Sequence, residues 1–186
     1  VSESLKLWNK KGRAVLISHD SHYIQSPDST LTETSPVLDC DITTAEKIVT
    51  DAGGIVVRLS GLFGGSDRKQ RTDDRGPSTW FKKERIKLHA NDTISIIHYE
   101  DAADVLIAAL EGGKPGSVYL AACDSLTAYE ADDIMHKSYK WSNKPQPNFM
   151  GEKRTLFAKQ DNTWTRKQLH VRPQLDFAKY MSELMW

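Results

Sequence analysis

The segment 19–22 (HDSH) places two imidazoles and a carboxylate close together, directly after an apolar run. Such groups can bind a metal ion or act as acid and base. A hydrolytic metal ion needs three protein ligands held by further hydrogen bonds, and the sequence has no HExxH motif and no paired CxxC motifs. We therefore expect no metal site, and the pattern favours a polar loop over a catalytic pair of histidines.

The elements that position this segment follow from the hydrophobic pattern. Four short apolar runs have the composition of buried strands, and two segments between them carry apolar residues at helical spacing. This alternation predicts an α/β fold with an open, mostly parallel sheet, whose sites form at the carboxyl ends of the strands. The strands are predicted at residues 13–18, 54–60, 94–98 and 117–123, and the helices at 42–52 and 100–110, with a further helix at 175–184.

Composition limits the function classes. The chain has 186 residues, enough for one domain, and its 25 Lys and Arg residues balance 25 Asp and Glu residues. A neutral chain has no overall field that favours nucleic acid or anionic lipid, and no apolar run approaches the length of a transmembrane segment. The two cysteines, Cys40 and Cys123, form no disulfide framework, which suits a reducing soluble compartment such as the cytosol or an organelle stroma or matrix.

Several segments resemble, in the same order, motifs of the extended and atypical short-chain dehydrogenase/reductases (SDRs), the NAD-dependent epimerase/dehydratase group. They are RAVLISHDSHY (13–23), TLTETSP (30–36), VVRLSGLFGG (56–65), ISIIHYEDAADVLIAAL (94–110), GSVYLAAC (116–123) and the tail at 165–177. The match covers only the C-terminal half to two thirds of that family. It implies a single, truncated SDR-like domain over 1–186, with a sheet-and-helix core at 1–126 and a helical and irregular substrate-side lobe at 127–186.

The resemblance also shows which family motifs this sequence lacks. No glycine-rich G-x-G-x-x-G turn opens a first βα unit, so we expect the N-terminal βαβαβ half of the Rossmann-like fold to lie outside a chain that starts at Val1. That half binds the adenosine and pyrophosphate of the cofactor. This chain alone is therefore expected to bind no cofactor, and to bind NAD(P) only when the N-terminal half is supplied.

The proton-transfer residues of the family are missing as well. In the family, the lysine of a Tyr-x-x-x-Lys pair lowers the pKa of the tyrosine, which then acts as acid or base. By resemblance, Leu38 and Ile42 occupy the tyrosine and lysine positions, and the partner Ser or Thr falls near His19. We therefore predict no catalytic residue, and the usual route of hydride transfer is excluded.

What remains is a residual cleft for cofactor or substrate. Arg58 interrupts an apolar strand and is expected to pair with a buried acceptor. His98 and Asp101 form a junction that in the family ties a strand to a helix, although a role towards substrate stays open. Arg68 could bind a phosphate or carboxylate, or belong to a solvated loop. The predicted cleft residues are Ser18, His19, Tyr23, Ser60, Gly61, Phe63, Gly64, Arg68 and His98.

A sheet without its N-terminal strands has an uncovered flank, which we expect a protein partner to cover. Trp80, Trp141, Trp164 and Trp186 are predicted to be exposed, as interface anchors or as cover for that flank. The first hypothesis is a non-catalytic, structural or accessory subunit of a larger assembly, for which an organelle is one candidate location. The alternative is a part of an NAD(P)-binding epimerase, dehydratase or reductase-like enzyme whose N-terminal half lies elsewhere, and a third is a small independent binding module.

Overall fold

The computed structural model describes residues 1–24, 29–64, 77, 80, 85–138, 142–151 and 159–183. The helices in these residues are α1 (Ser2–Leu7), α2 (Asp41–Asp51), α3 (Tyr99–Gly112), α4 (Ala128–Lys137), α5 (Thr163–Leu169) and α6 (Phe177–Glu183), with a 3-10 turn at Asp20–His22. The strands are β1 (Val15–His19), β2 (Thr30–Leu31), β3 (Ile55–Leu59), β4 (Gly61–Phe63), β5 (Arg85–Ile86), β6 (Thr93–His98), β7 (Val118–Ala121), β8 (Asp124–Thr127), β9 (Asn148–Phe149) and β10 (Lys159–Gln160).

The central sheet consists of three parallel strands in the order β1-β3-β7. Val15 pairs with Ile55, and Val57 pairs with Tyr119, so β3 is hydrogen-bonded on both sides. Its residues Ile55, Val56 and Val57 are completely buried, as expected for a continuous apolar run in a sheet covered on both faces. The predicted strands at 13–18, 54–60 and 117–123 are confirmed.

A second group of strands continues from the end of β3. Strand β4 pairs with β6 in parallel, and β6 pairs with β8 in antiparallel orientation. The short strands β2 and β5 pair in parallel with β10 and β9, respectively. The predicted α/β class with open, mostly parallel sheets is confirmed.

Helices cover both faces of the central sheet. On one face, Ile55 and Val57 pack in a cluster with Val105 and Ala109 of α3. On the other face, Arg58 of β3 reaches Glu46 of α2. Residues that alternate along β3 therefore contact different helices, which follows from the two-residue period of a strand.

A second hydrophobic cluster lies beside β4 and β6. Phe63 and Ile96 contact a group of residues from the C-terminal part, which includes Met135 of α4 and Phe177 of α6. Trp80 belongs to this cluster, is only 8% exposed and meets Phe149 edge-on at 5.5 Å. The prediction that Trp80 is exposed is wrong, because its indole packs in the hydrophobic cluster beside β4 and β6. The predicted boundary between 126 and 127 stays a prediction.

The remaining predictions in this part of the fold concern the other tryptophans and the C-terminal helix. Trp164 is exposed, as predicted, whereas Trp141 and Trp186 lie outside the described residues. The predicted C-terminal helix is confirmed as α6. Across the described ranges, every helix is too short or too polar to cross a membrane.

Candidate functional site

The candidate site lies where β1 and β3 end. His19 is the last residue of β1 and pairs with Leu59, the last residue of β3. Ser60 follows β3 directly, and the 3-10 turn at Asp20–His22 follows β1. The two predicted parts of the cleft, near His19 and near Ser60, therefore lie together at the carboxyl ends of the parallel strands. Sites form at these strand ends in such folds.

His19 is exposed, and its ring is held on one side by the turn that follows. Its Nδ1 lies 2.7 Å from Ser21 Oγ. The ring centroid is 4.2 Å from that of His22, with the planes inclined by 50°. His22 is 8% exposed, and burial together with the charge of His19 lowers the pKa of His22. A buried neutral imidazole is therefore in contact with an exposed one.

Ser60 and Asp20 are linked through a residue that the sequence did not single out. Ser60 Oγ donates to Gln160 Oε1 at 2.7 Å, and the Gln160 amide donates to the Asp20 carboxylate. Burial raises the pKa of Asp20, although the hydrogen bond from Gln160 opposes this rise. The Gln160 backbone N–H donates to Ser125 Oγ at 3.2 Å, which fixes β10 against β8. The network joins the two strand ends to the C-terminal part.

Arg58 and Tyr23 lie beneath the site and are buried. Arg58 forms an ion pair with Glu46, with Nη2 2.6 Å from Oε2, so the predicted acceptor is found. The Arg58 guanidinium carbon also lies 4.7 Å from the centre of the Tyr23 ring, a cation–π contact. Burial raises the pKa of Tyr23, which keeps its hydroxyl protonated. Ser18 is buried as well, so two predicted cleft residues, Tyr23 and Ser18, form the floor together with Arg58.

His98 and Phe63 are packed inside the protein. His98 Nδ1 accepts a hydrogen bond from Glu100 N–H at 3.1 Å and thereby caps α3. The His98 ring lies 5.2 Å from Phe63 and under Gly64, where a Cβ would overlap the imidazole. The family-based expectation of a strand-to-helix junction at His98 is confirmed. A role of these residues towards ligand stays a prediction.

The last two predicted cleft residues are Gly61 and Arg68. Gly61 begins β4 and pairs with Ile96 of β6. Arg68, the predicted anion-binding residue, lies outside the described residues. Within the described ranges, no group of three or more His, Cys, Asp and Glu residues is arranged to hold a metal ion.

Leu38 and Ile42 are the residues predicted to stand at the tyrosine and lysine positions of the family. Their side chains are 51% and 40% exposed, and they offer neither a hydroxyl nor an ammonium group to a ribose or a substrate oxygen. The described residues also contain no glycine-rich turn at the start of a helix that could hold a pyrophosphate. The described residues thus supply neither a Tyr-Lys pair at these two positions nor a pyrophosphate-binding turn.

The two outer strands of the central sheet, β7 and β1, differ in the hydrogen bonding of their outward backbone groups. On β7, Leu120 N–H donates to Thr165 Oγ1 at 2.9 Å, and Asn162 Nδ2 donates to the Ala122 carbonyl at 2.5 Å. Side chains before and within α5 thus satisfy one outward backbone group of β7 and one of the residue that follows it. No sequence signal marked Thr165 or Asn162 for this task, because both lie more than 35 residues from their partners.

On β1, the outward edge is open. Ala14 C=O accepts from Ile55 N–H, so the backbone groups of Val15 and Ile17 face away from β3. In the described part of the chain, no strand pairs with this edge. Ile17 is 59% exposed beside it. An open apolar edge readily accepts a further strand.

No protein-family model matches the sequence, and no curated protein matches it. Solved structures match its fold. RMD from Pseudomonas aeruginosa, complexed with NADPH, has 12% identity and a TM-score of 0.75, and the match covers 99% of this chain and 69% of that one. UDP-glucuronic acid 4-epimerase from Bacillus cereus, in complex with NAD, has 15% identity and a TM-score of 0.74, with 97% and 63% covered.

UDP-glucose 4-epimerase from Bifidobacterium longum, in complex with NAD⁺ and UDP, gives the same result. Its identity is 14% and its TM-score 0.75, and the match covers 99% of this chain and 65% of the epimerase. The chain thus spans about two thirds of the length of the structures that it matches. The predicted resemblance is confirmed in its three-dimensional form: this chain has the Rossmann-like fold of the NAD-dependent epimerases and dehydratases.

Proposed function

We propose that this chain is the substrate-side part of an NAD(P)-binding protein of the epimerase/dehydratase type. Its nucleotide-binding part, on another segment or another chain, adds a parallel strand beside β1. The combined protein binds NAD(P), and the described residues supply the floor and the polar mouth of the ligand cleft. The proposal includes no hydride transfer by these residues, because Leu38 and Ile42 carry neither a phenol nor an ammonium group.

The open edge of β1 is the observation that carries the proposal. At the opposite edge, on β7, Thr165 and Asn162 already bond Leu120 N–H and the Ala122 carbonyl, so strand addition at that side would break these hydrogen bonds. The edge with Val15 and Ile17 offers unpaired backbone groups and the exposed Ile17 side chain. A strand added there would cover that side chain, which is 59% exposed, and gain up to about 1–2 kcal/mol from the apolar surface removed from water.

The candidate site supports the same location. His19 ends the open strand, and the Asp20–Gln160–Ser60 network lies next to it. A partner strand beside β1 would therefore end next to His19. In open α/β sheets, ligands bind in the crevice outside the carboxyl ends of adjacent strands.

A structural or accessory subunit without catalysis is the second candidate. It is favoured by the apolar residues Leu38 and Ile42 at the positions of the catalytic pair. Such a subunit would use the same β1 edge to bind a protein partner. The two candidates differ in one measurable property, which is the binding of NAD(P) when the nucleotide-binding part is present.

The test compares residues 1–186 alone with the complete protein, in which the nucleotide-binding part is present as a linked segment or as a second chain. NAD⁺ and NADPH binding is measured by isothermal titration calorimetry for both proteins. We expect binding by the complete protein and none by residues 1–186 at about 1 mM cofactor, the weak limit of such titrations. If the complete protein fails to bind either cofactor, the second candidate replaces the first.

A pair of matched variants tests the edge itself in the complete protein. Ile17→Lys puts a charge where the added strand packs, and we expect cofactor affinity to fall at least about tenfold. Leu7→Lys changes an equally apolar but 87% exposed side chain on α1 and should leave affinity unchanged. Equal effects of the two variants would argue against strand addition at β1.

A further inference from the structure

The exposed face of α5 borders a cleft that is rich in basic side chains. The cleft has a volume of about 660 Å³ and is lined by Thr163, Arg166, Lys167, His170, Val171 and Arg172. Thr165 and Leu169 of the same helix are buried, so the helix turns its basic side chains towards solvent. Among the described residues, no carboxylate lines this cleft. Its lining therefore suits an anion.

The positive charge of the cleft exceeds the negative charge beside it. No ion pair of the described residues includes Arg166, Lys167 or Arg172. A hydrogen bond from Thr163, and then the charges of Lys167 and Arg166, lower the pKa of Asp161, a carboxylate that lies near the cleft. The dipole of α5 favours cations in its last turn, but Arg172 lies beyond the end of that helix. Such a concentration of charge attracts an anion, and a guanidinium matches the geometry of a phosphate.

A second cavity adjoins the basic cleft and shares Thr163 and Lys167 with it. Its volume is about 580 Å³, and Trp164 forms part of its lining. The Trp164 side chain is 41% exposed and is stacked on the buried Tyr119, with ring centroids 5.3 Å apart and planes inclined by 20°. The Tyr119 hydroxyl accepts from Lys114 N–H at 2.8 Å, which fixes the lower ring. An exposed indole supported in this way can stack on the planar ring of a ligand.

We propose that α5 carries a binding site for a free nucleotide, whose phosphates lie in the basic cleft and whose base stacks on Trp164. Trp164 and Lys167 are three residues apart, and side chains at that spacing are neighbours on a helix, with Cβ atoms about 5–6 Å apart. The stacking surface and the positive charge are therefore within reach of one nucleotide. Glu33 and Asp161 also line the second cavity, where their carboxylates can accept hydrogen bonds from N–H groups of the base.

The charge distribution favours a free nucleotide over a nucleic-acid strand. A strand needs a basic groove that follows its backbone, whereas the basic side chains here surround one cleft and carboxylates line the adjoining cavity. The site is also separate from the cleft at His19 and Ser60. None of the described residues predicted for that cleft lines either cavity, and β3 lies between β1 and β7. The nucleotide site thus goes beyond the proposed function and does not depend on it.

The first experiment follows the Trp164 indole in the complete protein. Labelling with ¹⁵N gives one indole N–H signal for each tryptophan in an NMR spectrum, and Trp164→Phe identifies the signal of Trp164. The probes are ADP, pyrophosphate, adenosine and a single-stranded oligodeoxyadenylate. We expect ADP to shift the Trp164 signal with a dissociation constant of about 1 mM or below. The signal of Trp8, whose indole donates to the Gly12 carbonyl, is the internal control and should not move.

Adenosine and pyrophosphate each contain only one half of the ligand. We expect each of them to bind at least about tenfold more weakly than ADP, because ADP joins both contacts in one molecule. Equal affinities for pyrophosphate and ADP would contradict the stacking on Trp164, and equal affinities for adenosine and ADP would contradict the role of the basic cleft. An oligodeoxyadenylate that binds at least about tenfold more tightly than ADP would identify a nucleic-acid strand instead and overturn the proposal.

The second experiment uses the same signal in variants of the complete protein. Arg172→Ala removes a permanent charge from the cleft, and we expect affinity for ADP to fall about 3- to 10-fold. Arg172→Lys keeps the charge but loses the planar fork, and should retain part of the affinity. Affinity for adenosine should not change in either variant, a result that a general loss of structure would not give. Lys179→Ala, which removes an exposed lysine of α6 outside both cavities, is the matched control.

A Trp164 signal that ADP leaves unmoved in the folded protein would overturn the proposal. Equal losses of ADP affinity in Arg172→Ala and Lys179→Ala would overturn it as well. Both substitutions replace exposed side chains, so the variants should fold, which circular dichroism checks. Because the measured signal belongs to Trp164, binding of ADP at a separate cofactor site does not produce the expected result. The proposed function is tested independently, by the binding of NAD(P).

Discussion

Arg58 of β3 and Glu46 of α2 form a buried ion pair, in which Nη2 lies 2.6 Å from Oε2 and Nε lies 3.1 Å from Oε1. The pair joins a helix to the central strand of the sheet. It also forms part of the floor of the candidate site, because Tyr23 covers the guanidinium. The stability of this floor can be measured without knowing the ligand.

We expect Arg58→Met to destabilise the protein by about 3–5 kcal/mol, because the carboxylate of Glu46 would remain buried without its partner. Urea denaturation followed by circular dichroism measures the free energy of unfolding. Lys47→Met breaks the exposed pair between Lys47 and Asp51, which are 2.8 Å apart, and should cost less than about 1 kcal/mol. Equal losses in the two variants would contradict the role of the buried pair.

The ion pair also predicts the behaviour in acid. Burial disfavours the charged form of Glu46, but the hydrogen bonds from Arg58 and its charge outweigh this effect, so the pKa of Glu46 is lowered from 4.5. Its contribution is therefore complete above pH 4.5 and is lost as pH falls through the lower folded-state pKa. The unfolding free energy of the unmodified protein should fall more steeply below pH 4.5 than that of Glu46→Gln. Parallel profiles would rule out this linkage.

Thr165 closes the edge of β7, and its removal should open that edge. Thr165→Val keeps the shape but removes the oxygen that accepts from Leu120 N–H and donates to Glu33 at 2.6 Å. We expect a loss of about 1–3 kcal/mol and faster hydrogen exchange at the Leu120 amide. Thr44→Val, at an exposed position on α2, is the control and should change neither quantity. Unchanged exchange at Leu120 would show that Thr165 does not seal the edge.

The two free cysteines should differ in reactivity. Burial and the neighbouring carboxylates of Asp124 and Asp101 raise the pKa of Cys123 to about 12. A hydrogen bond from the Thr43 backbone lowers the pKa of Cys40. Because the thiolate is the reactive form, iodoacetamide at pH 8 should alkylate Cys40 first and reach Cys123 only after urea unfolds the protein. Comparable rates in the folded protein would contradict this order.

The strands of the central sheet were predictable because their residues are continuously apolar, as in Ile55–Leu59. Arg58 was predictable as a paired residue because a buried guanidinium requires an acceptor. Strand β8 (Asp124–Thr127) was missed, since its polar sequence DSLT has no apolar period and forms a strand only through pairing with β6.

The site was harder to predict, because its key contacts join residues far apart in sequence. Gln160 reaches Asp20 across 140 positions, and no local pattern marks it. The closed β7 edge depends in the same way on Thr165 and Asn162. Trp80 was predicted to be exposed because the sequence does not reveal which part of the lobe covers it. The position of His19 at the end of a strand was predictable, but the contacts that orient its ring were not.

The central claim, that a strand of the nucleotide-binding part pairs with β1, is tested most directly by hydrogen exchange at single amides. NMR would compare the Ile17 and Leu120 amides in residues 1–186 and in the complete protein. We predict that Leu120 is protected in both, whereas Ile17 exchanges freely in residues 1–186 and at least about tenfold more slowly in the complete protein. Free exchange at Ile17 in a complete protein that binds NAD(P) would contradict the claim.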